Sequence, residues 1–392
     1  MSDLKIFAKT IEDEAREQIE LLLAQEAFKD CKVRIMPDVH AGAGCVIGFT
    51  ANLGDKVIPN IVGVDIGCGM YTVYLGNIDI DYKKLDDVIN DYIPSGFDVH
   101  EDDGSVVMFD FTQFKCYDQL TNIIRLDSSL CTLGGGNHFI EIDEDDAGGK
   151  YLVIHTGSRN LGKQVADIYQ NRAIKKLTQP STTEIVDLIF NLKKEGRHKE
   201  ISSALKSLKQ EYRNHPPKEL CYLEGCDRDD YIHDMKLCQT YASYNRFLIA
   251  NEIMWFMKWD GHETFETIHN YIDSNNMVRK GAISAHAGEP LLIPINMRDG
   301  CILGRGKGNP DWNYSAPHGA GRIMSRAKAK QSINLDEYRE AMKGIYTTSI
   351  GLDTIDEAPF AYRGMDEILE CIKDTVEVEK IIKPVYNFKA GD

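Results

Sequence analysis

The sequence predicts an α/β fold, a single large domain carrying a helical insertion. Short apolar runs of strand length end repeatedly in glycine, asparagine or histidine, and amphipathic helical stretches alternate with them. No Pro/Gly/Ser-rich linker, internal repeat or low-complexity block divides the 392 residues. The domain is therefore taken as 1–392, with residues 176–240, polar and Lys/Glu-rich, as a helical excursion within it.

The elements follow in order. Residues 11–28 place Ile11, Ala15, Ile19, Leu22 and Leu23 on one face with charges opposite, which predicts an amphipathic helix. "CKVRIMPDVHAGAGCVIGFT" reads as a strand, a turn at Pro37-Asp38 and a glycine-rich approach to a second strand. "NIVGVDIGCGMYTVYLG" is an apolar run cut by Gly63, Gly67 and Gly69, the pattern of sharp turns or close approach to a ligand. Residues 80–130 mix a helix with acidic loop. "LGGGNHFIEI" and "YLVIHTGSRNLG" read as turn-strand and strand-turn-helix. Residues 241–258 form a separate apolar-rich helix, "HETFETIHNYI" runs as a strand into His269-Asn270, and strands return over 281–304. Helices and a terminal strand close the chain.

The formal net charge of -16 argues against nucleic-acid binding over the whole surface and leaves room for a local basic groove. The charged start "MSDLKIFAKTIEDEAREQIE" is unlike a signal peptide, and no apolar run would span a bilayer. A cytoplasmic location without a membrane partner is expected, with the ten cysteines mostly reduced.

His138 in "GGGNHFIE", His155 in "IHTGSR" and His269 in "IHNY" each end or follow an apolar stretch. Any one alone reads as a satisfied polar residue. Asp65 and Cys68 in "GVDIGCGM" change the weighing, because carboxylate, thiolate and imidazole together suit Mn, Zn, Fe or Co, and a thiolate can bridge two ions. Cys68 as a small buried hydrophobe is the plain alternative. Cys221, Cys226, His233 and Cys238 look like a zinc set, but C-x4-C is loose and no C-x2-C knuckle is present.

In "APHGAGRIMSRAKAK", His318 stands between Pro317 and Gly319-Ala320-Gly321, where a large group can reach its ring. A neutral imidazole is a nucleophile near neutral pH, and phosphorus is a common partner. Arg322, Arg326, Lys328 and Lys330 follow at helical spacing, so Arg322 and Arg326 are expected on one face, gripping phosphates beside a helix N-terminus. A solvated basic helix after a glycine turn is the alternative.

"MPDVHAGAGCVIG", "VGVDIGCGM", "GGGNHFIEI", "HTGSRNLG", "IHNY", "RKGAISA", "GKGNPDW" and "HGAGRIMSR" occur in the order and context of the RtcB family of RNA-splicing ligases, which the chain resembles from about residue 34 to Lys389. The resemblance implies a family-specific α/β fold. It also implies a GTP- and Mn-dependent ligase that joins RNA 3′-phosphate or 2′,3′-cyclic phosphate ends to 5′-hydroxyl ends, in RNA repair or tRNA splicing. His318 matches the histidine that becomes guanylylated. Asp65, Cys68, His138, His155 and His269 match ligands of two Mn²⁺ ions, with Cys68 the bridge. GTP is the co-substrate, and Asn137, His138, Phe139, Ile140, Glu141, His269, Asn270, Pro294, Met297, Cys301, His318, Gly319, Ala320, Gly321 and Lys389 match its contacts. The implied partners are RNA with those ends, GTP and an archease-like activator.

One stretch departs from the pattern. "PINMRDGC" keeps Pro294 and Met297 of the usual "PGSMG" loop, but Ile295, Asn296, Arg298 and Cys301 stand where Gly, Ser, Gly and Ser are typical. Arg298 is expected to add positive charge near the GTP phosphates or the RNA 3′ end. Two rivals share the residues: a phosphoesterase or 3′-end guanylyl-capping enzyme that never seals, and a non-catalytic RNA-end-binding repair subunit.

Overall fold

The computed structural model describes residues 3–42, 44–101 and 108–390. Its strands are β1 (Asp3–Ile6), β2 (Lys32–His40), β3 (Ile47–Asn52), β4 (Lys56–Val57), β5 (Gly69–Gly76), β6 (Phe139–Glu144), β7 (Lys150–Thr156), β8 (Leu223–Glu224), β9 (Thr264–Ile268), β10 (Asn270–Ile272), β11 (Met277–Lys280), β12 (Ala282–Ser284), β13 (Pro290–Asn296), β14 (Gly300–Gly306), β15 (Ser315–Pro317) and β16 (Val376–Lys389). Seven of them form one sheet in the order β13-β14-β16-β6-β7-β5-β9, and five form another in the order β1-β2-β3-β11-β10. Apart from the parallel pair β1–β2, the pairings within these two sheets are antiparallel.

Alternation along β6 and β7 sorts the large sheet into two faces. Ile140, Ile142, Leu152 and Ile154 pack with Ile249 and Ile253 of α8 (Cys226–Met257) and with Leu85 and Ile89 of α3 (Tyr82–Tyr92). Phe139, Tyr151 and Val153 pack on the other face with Met70, Leu292, Leu303 and Ile382. The same alternation turns Glu141, Asp143 and His155 to that second face, where the site lies.

The N-terminal helix is α1 (Asp13–Leu23), shorter than 11–28. Asp13 and Glu14 suit its positive N-terminus. Ala15, Ile19 and Leu22, one helical stripe, are buried. No turn forms at Pro37-Asp38, because β2 runs through both. Its register against β3 slips between Ile35 and His40, so Pro37, which has no N–H to give, falls where the ladder is already broken.

The break expected between residues 240 and 241 is also absent. One 32-residue helix, α8, covers it, and Arg246 on that helix is fully buried. Before it, α5 (Arg159–Thr178) is followed by α6 (Thr182–Lys194) and α7 (Ile201–Glu211), of which only α6 buries a residue, Leu192. The remaining helices are α2 (Pro59–Val62), α4 (Ile123–Asp127), α9 (Arg326–Ser332), α10 (Leu335–Ala341) and α11 (Met365–Cys371). Among the described residues no helix is long and apolar enough to cross a membrane.

Candidate active site

Asp65 and Cys68 sit in the turn between α2 and β5, which glycine makes possible. Gly67 has φ +74°, and a Cβ there would lie 2.8 Å from the Gln239 Cα in α8. Arg246 of α8 pins this turn by donating to the carbonyls of Gly67 (2.9 Å) and Thr156 (2.6 Å), while its charge is met by Glu266 at 2.7 Å. Gly157 leaves the space that the Asp65 carboxylate occupies.

Three strand ends bring the histidines to Cys68. The Cys68 Sγ lies 3.3 Å from Nε2 of His155 and 3.6 Å from Nε2 of His138, and Asp65 Oδ2 is 3.0 Å from that same His138 nitrogen. Asp65, Cys68 and His138 form one cluster of potential ligand atoms, and Cys68, His155 and His269 form a second that shares the sulfur. His138 Nδ1 is held by the Leu133 carbonyl at 2.9 Å and His155 Nδ1 by the Asn137 carbonyl at 3.1 Å. The carbonyl on His155 fixes its tautomer, so that its Nε2 lone pair faces Cys68, while Nε2 of His138 lies between Cys68 and the Asp65 carboxylate. Nδ1 of buried His269 has no partner.

The electrostatics fit a cation at this point. Burial holds His155 and His269 well below the usual histidine range, so both are neutral ligands. Burial also works against the Asp65 carboxylate, but His138, Cys68 and His155 together outweigh it and the pKa falls to about 2. Burial and the neighbouring Asp65 push the Cys68 thiol well up. Only a positive ion between these groups would make it a thiolate. Neutral imidazoles, a carboxylate, a shared sulfur and an orphaned ring nitrogen are a donor set for divalent transition metals.

His318 stands beside this cluster, its ring centroid 4.9 Å from that of His269. Its Nδ1 donates to Asp38 Oδ2 at 2.7 Å, and the backbone N–H groups of His318 and Gly319 donate to the same oxygen at 3.1 and 3.3 Å. Asp38 is fully buried, in the irregular stretch of β2, where a bulge re-aims a side chain. This contact leaves the lone pair of His318 on Nε2.

A cavity of about 710 Å³ opens over His318 and His155. Gly319, Ala320 and Gly321 line it, as do Asn137, Phe139 and Glu141 from β6 and its approach, Pro294 and Met297, and Lys389 from β16. Five residues expected to touch nucleotide are not on this wall. Ile140 faces the α8 side of the sheet, and His138 and His269 belong to the Cys68 clusters. Asn270 bridges the Asp65 carbonyl (3.1 Å) and the Gly281 N–H (3.0 Å). Cys301 is fully buried and turned toward Glu141 and Asp143.

The basic helix is also different from expectation. It begins only at Arg326, capped by Ser325, so Arg322 lies outside it. Arg322 and Arg326 are engaged by the buried acids Asp356 and Glu357: Arg322 reaches Glu357 at 3.2 Å, and Arg326 reaches Asp356 at 2.7 Å and Glu357 at 2.8 Å. Lys389 reaches Glu357 at 2.8 Å. These cations build the cavity wall as an ion-pair network. Arg298 pairs with the adjacent Asp299 at 2.7 and 3.0 Å and does not line the cavity. Cys221, Cys226, His233 and Cys238 do not form a cluster; His233 bonds Asp234 instead. Asp38 and Arg246 were not singled out from sequence. A lone arginine on an apolar helical face was the available signal for Arg246.

The sequence model of the family described as "tRNA-splicing ligase RtcB" matches residues 22–115 and 110–390. The chain belongs to the RtcB family. It is 29% identical to the RNA-splicing ligase RtcB of Escherichia coli K12, with 97% of this chain and 95% of that protein covered. It is 26% identical to the tRNA-splicing ligase RtcB of Aeropyrum pernix over 86% of this chain and 83% of that one, and to that of Nanoarchaeum equitans over 89% and 85%. RtcB membership therefore spans the Cys68 turn, the three histidine-bearing strand ends and the His318 loop together.

Proposed function

We propose that the chain is an RNA ligase that uses GTP and Mn²⁺ to join a 3′-phosphate or 2′,3′-cyclic phosphate end to a 5′-hydroxyl end, through a guanylylated His318. The observation that carries the reading is the Asp38–His318 contact, which presents Nε2 as the nucleophilic nitrogen beside a donor set suited to metal. Nε2 attacks the α-phosphorus of GTP, an N–P bond forms, and the bond to pyrophosphate breaks. Asp38 steadies the positive ring by keeping the Nδ1 proton between them. A 2′,3′-cyclic end is first opened by water, which breaks the bond to O2′ and leaves a 3′-phosphate and a 2′-hydroxyl; the guanylate then passes to the RNA 3′-phosphate, returning the lone pair to Nε2. The 5′-hydroxyl attacks that activated phosphate, its proton leaves to solvent or base, and GMP departs.

Asp65, Cys68 and His138 would hold one ion and Cys68, His155 and His269 another. Bound there, the metal supplies charge neutralisation and Lewis acidity for phosphoryl oxygens and water. Glu141 and Lys389 at one end of the cavity offer an acceptor and a donor to a base. The Gly319–Gly321 stretch offers close backbone approach.

The test is incubation with α-labelled GTP and Mn²⁺ followed by a denaturing gel. Label should stay on the parent and be absent from His318→Ala; label on that variant overturns the assignment. RNA with 3′-phosphate and 5′-hydroxyl ends should be sealed. Joining only of 3′-hydroxyl to 5′-phosphate ends would refute the reading.

A further inference from the structure

Behind the cavity wall, apart from Cys68 and its histidines, lies another group of donors. Glu141 and Asp143 project from one face of β6, and Cys301 on β14 reaches the same place across β16. A ligand atom from each lies within 4.8 Å of the other two. Glu141 is 3% exposed, and Asp143 and Cys301 are 0% exposed. Both oxygens of Asp143 and Oε1 of Glu141 have no hydrogen-bond partner. Neither has Oδ1 of Asn387, which stands opposite Glu141 in the β16–β6 register.

The surroundings offer these groups little. Tyr151, Val153, Leu292, Leu303 and Ile382 make that face of the sheet apolar. The ammonium of Lys389 acts on Glu141 but bonds Glu357, and that of Lys380 bonds Asp145 and Tyr151. Burial pushes the Asp143 carboxyl up to about 7 and drives Glu141 and Cys301 well up. Two buried carboxyl groups, with only the Asn387 amide beside Glu141 and the Cys301 thiol beside Asp143 to offset burial, burden folding heavily. Two remedies exist: each keeps a proton, or a cation sits between them.

We propose that Glu141, Asp143 and Cys301 bind a divalent transition-metal ion at a site separate from the Cys68 centre. Two carboxylates and a thiolate make three donor residues for Zn²⁺, Co²⁺, Fe²⁺ or Mn²⁺, and the sulfur disfavours Mg²⁺ and Ca²⁺. Binding displaces the protons of the two carboxyls and the thiol to solvent, so affinity rises with pH. The ion ties β6, β14 and β16 together. Because Glu141 also lines the cavity, the ion sets the charge at that end of it. Binding at this site needs neither GTP nor RNA, so it stands or falls apart from the ligase reading.

The test uses the full chain, stripped with chelator and titrated with Co²⁺ alone. A Cys68→Ala variant should keep a thiolate-to-cobalt charge-transfer absorption, which Cys68→Ala/Cys301→Ala should lose. Asp143→Asn, nearly isosteric, should bind one ion fewer than the parent while the absorption from Cys68 persists. Near-ultraviolet circular dichroism shows whether each variant is folded. Direct titration of the parent, with the released protons counted, depends on no variant and should show protons released at this additional site. The proposal is overturned if Cys68→Ala shows no thiolate absorption, or if Asp143→Asn binds as many ions as the parent. The two carboxyls then simply hold protons.

Discussion

Asp38 accepts the Nδ1–H of His318 and two backbone N–H groups of the same loop, so one carboxylate sets both the tautomer and the position of the ring. An amide at this position no longer selects between the two nitrogens. Asp38→Asn should therefore slow formation of the labelled His318 adduct by on the order of 10²-fold or more, with the melting temperature measured alongside. Labelling at the parent rate would show that Asp38 does not orient the ring. His40, two residues on, bonds the Asp38 carbonyl through Nδ1 at 2.9 Å, and burial lowers its pKa to about 4. In the unfolded chain its pKa is near 6.5, so between about pH 6.5 and 4 the unfolded state holds a proton that the native state lacks. Its contribution to stability is present above that window and is lost as pH falls through it, by up to ~1.4 kcal/mol per pH unit. Urea unfolding at several pH values should give a flatter acid limb for His40→Gln than for the parent; identical limbs would remove His40 from the account.

At the scale of elements, the loop before α9 depends on acids far along the chain. "APHGAGRIMSRAKAK" read alone is a basic helix, because Asp356 and Glu357 lie thirty to thirty-five residues after the arginines they engage. Glu357 is 2% exposed and its pKa is lowered to about 2, where burial opposes the charge but Lys389 and Arg326 outweigh it. Its stabilising effect is complete above the ordinary glutamate range and fades as pH falls toward 2. Glu357→Ala strands buried Lys389, removes the carboxylate partner of Arg322 and leaves Arg326 with Asp356 alone, and should cost about 3 kcal/mol or more. Arg339→Ala, which breaks an exposed pair with Asp336, should cost under about 1 kcal/mol. Denaturant melts of the two variants decide whether the network or surface charge in general is at work. The Cys68 turn is as dependent on α8. Gly67→Ala puts a side chain at φ +74° and against the Gln239 backbone, so it should lose at least ~1 kcal/mol and weaken metal retention on dialysis. Full metal content in a folded Gly67→Ala protein would show that the turn tolerates displacement.

Over the whole molecule, the members of the Cys68 clusters are legible in the sequence because each announces itself locally. Asp65 and Cys68 share one glycine-rich turn, and each histidine closes or follows an apolar run. What the sequence hid is what depends on pairing. Pro37-Asp38 carries a turn signature, yet the broken β2–β3 ladder absorbs the proline, and this concealed Asp38. The polar first half of α8 hid its continuity with the apolar half, and so concealed Arg246 as the pin of the Cys68 turn. Strand order was not readable, since β16 enters between strands made much earlier. The excursion of α6 and α7 packs little of itself away. Lys193 to Arg197 are exposed, and a Cβ at Gly196 would meet nothing within 4 Å. Brief trypsin treatment should cut first at this bend and leave metal content intact. A first cut within the sheet strands would contradict that ranking.

The position of β16 also bears on how the protein is made. It pairs with β14 on one side and with β6, some 240 residues earlier, on the other. Until residue 389 has left the ribosome, those two neighbours have no partner between them, and the cavity lacks the wall that Asn387 and Lys389 supply. Synthesis therefore proceeds with two open strand edges waiting for the same late segment. That interval exposes the nascent chain to mispairing and to chaperone capture.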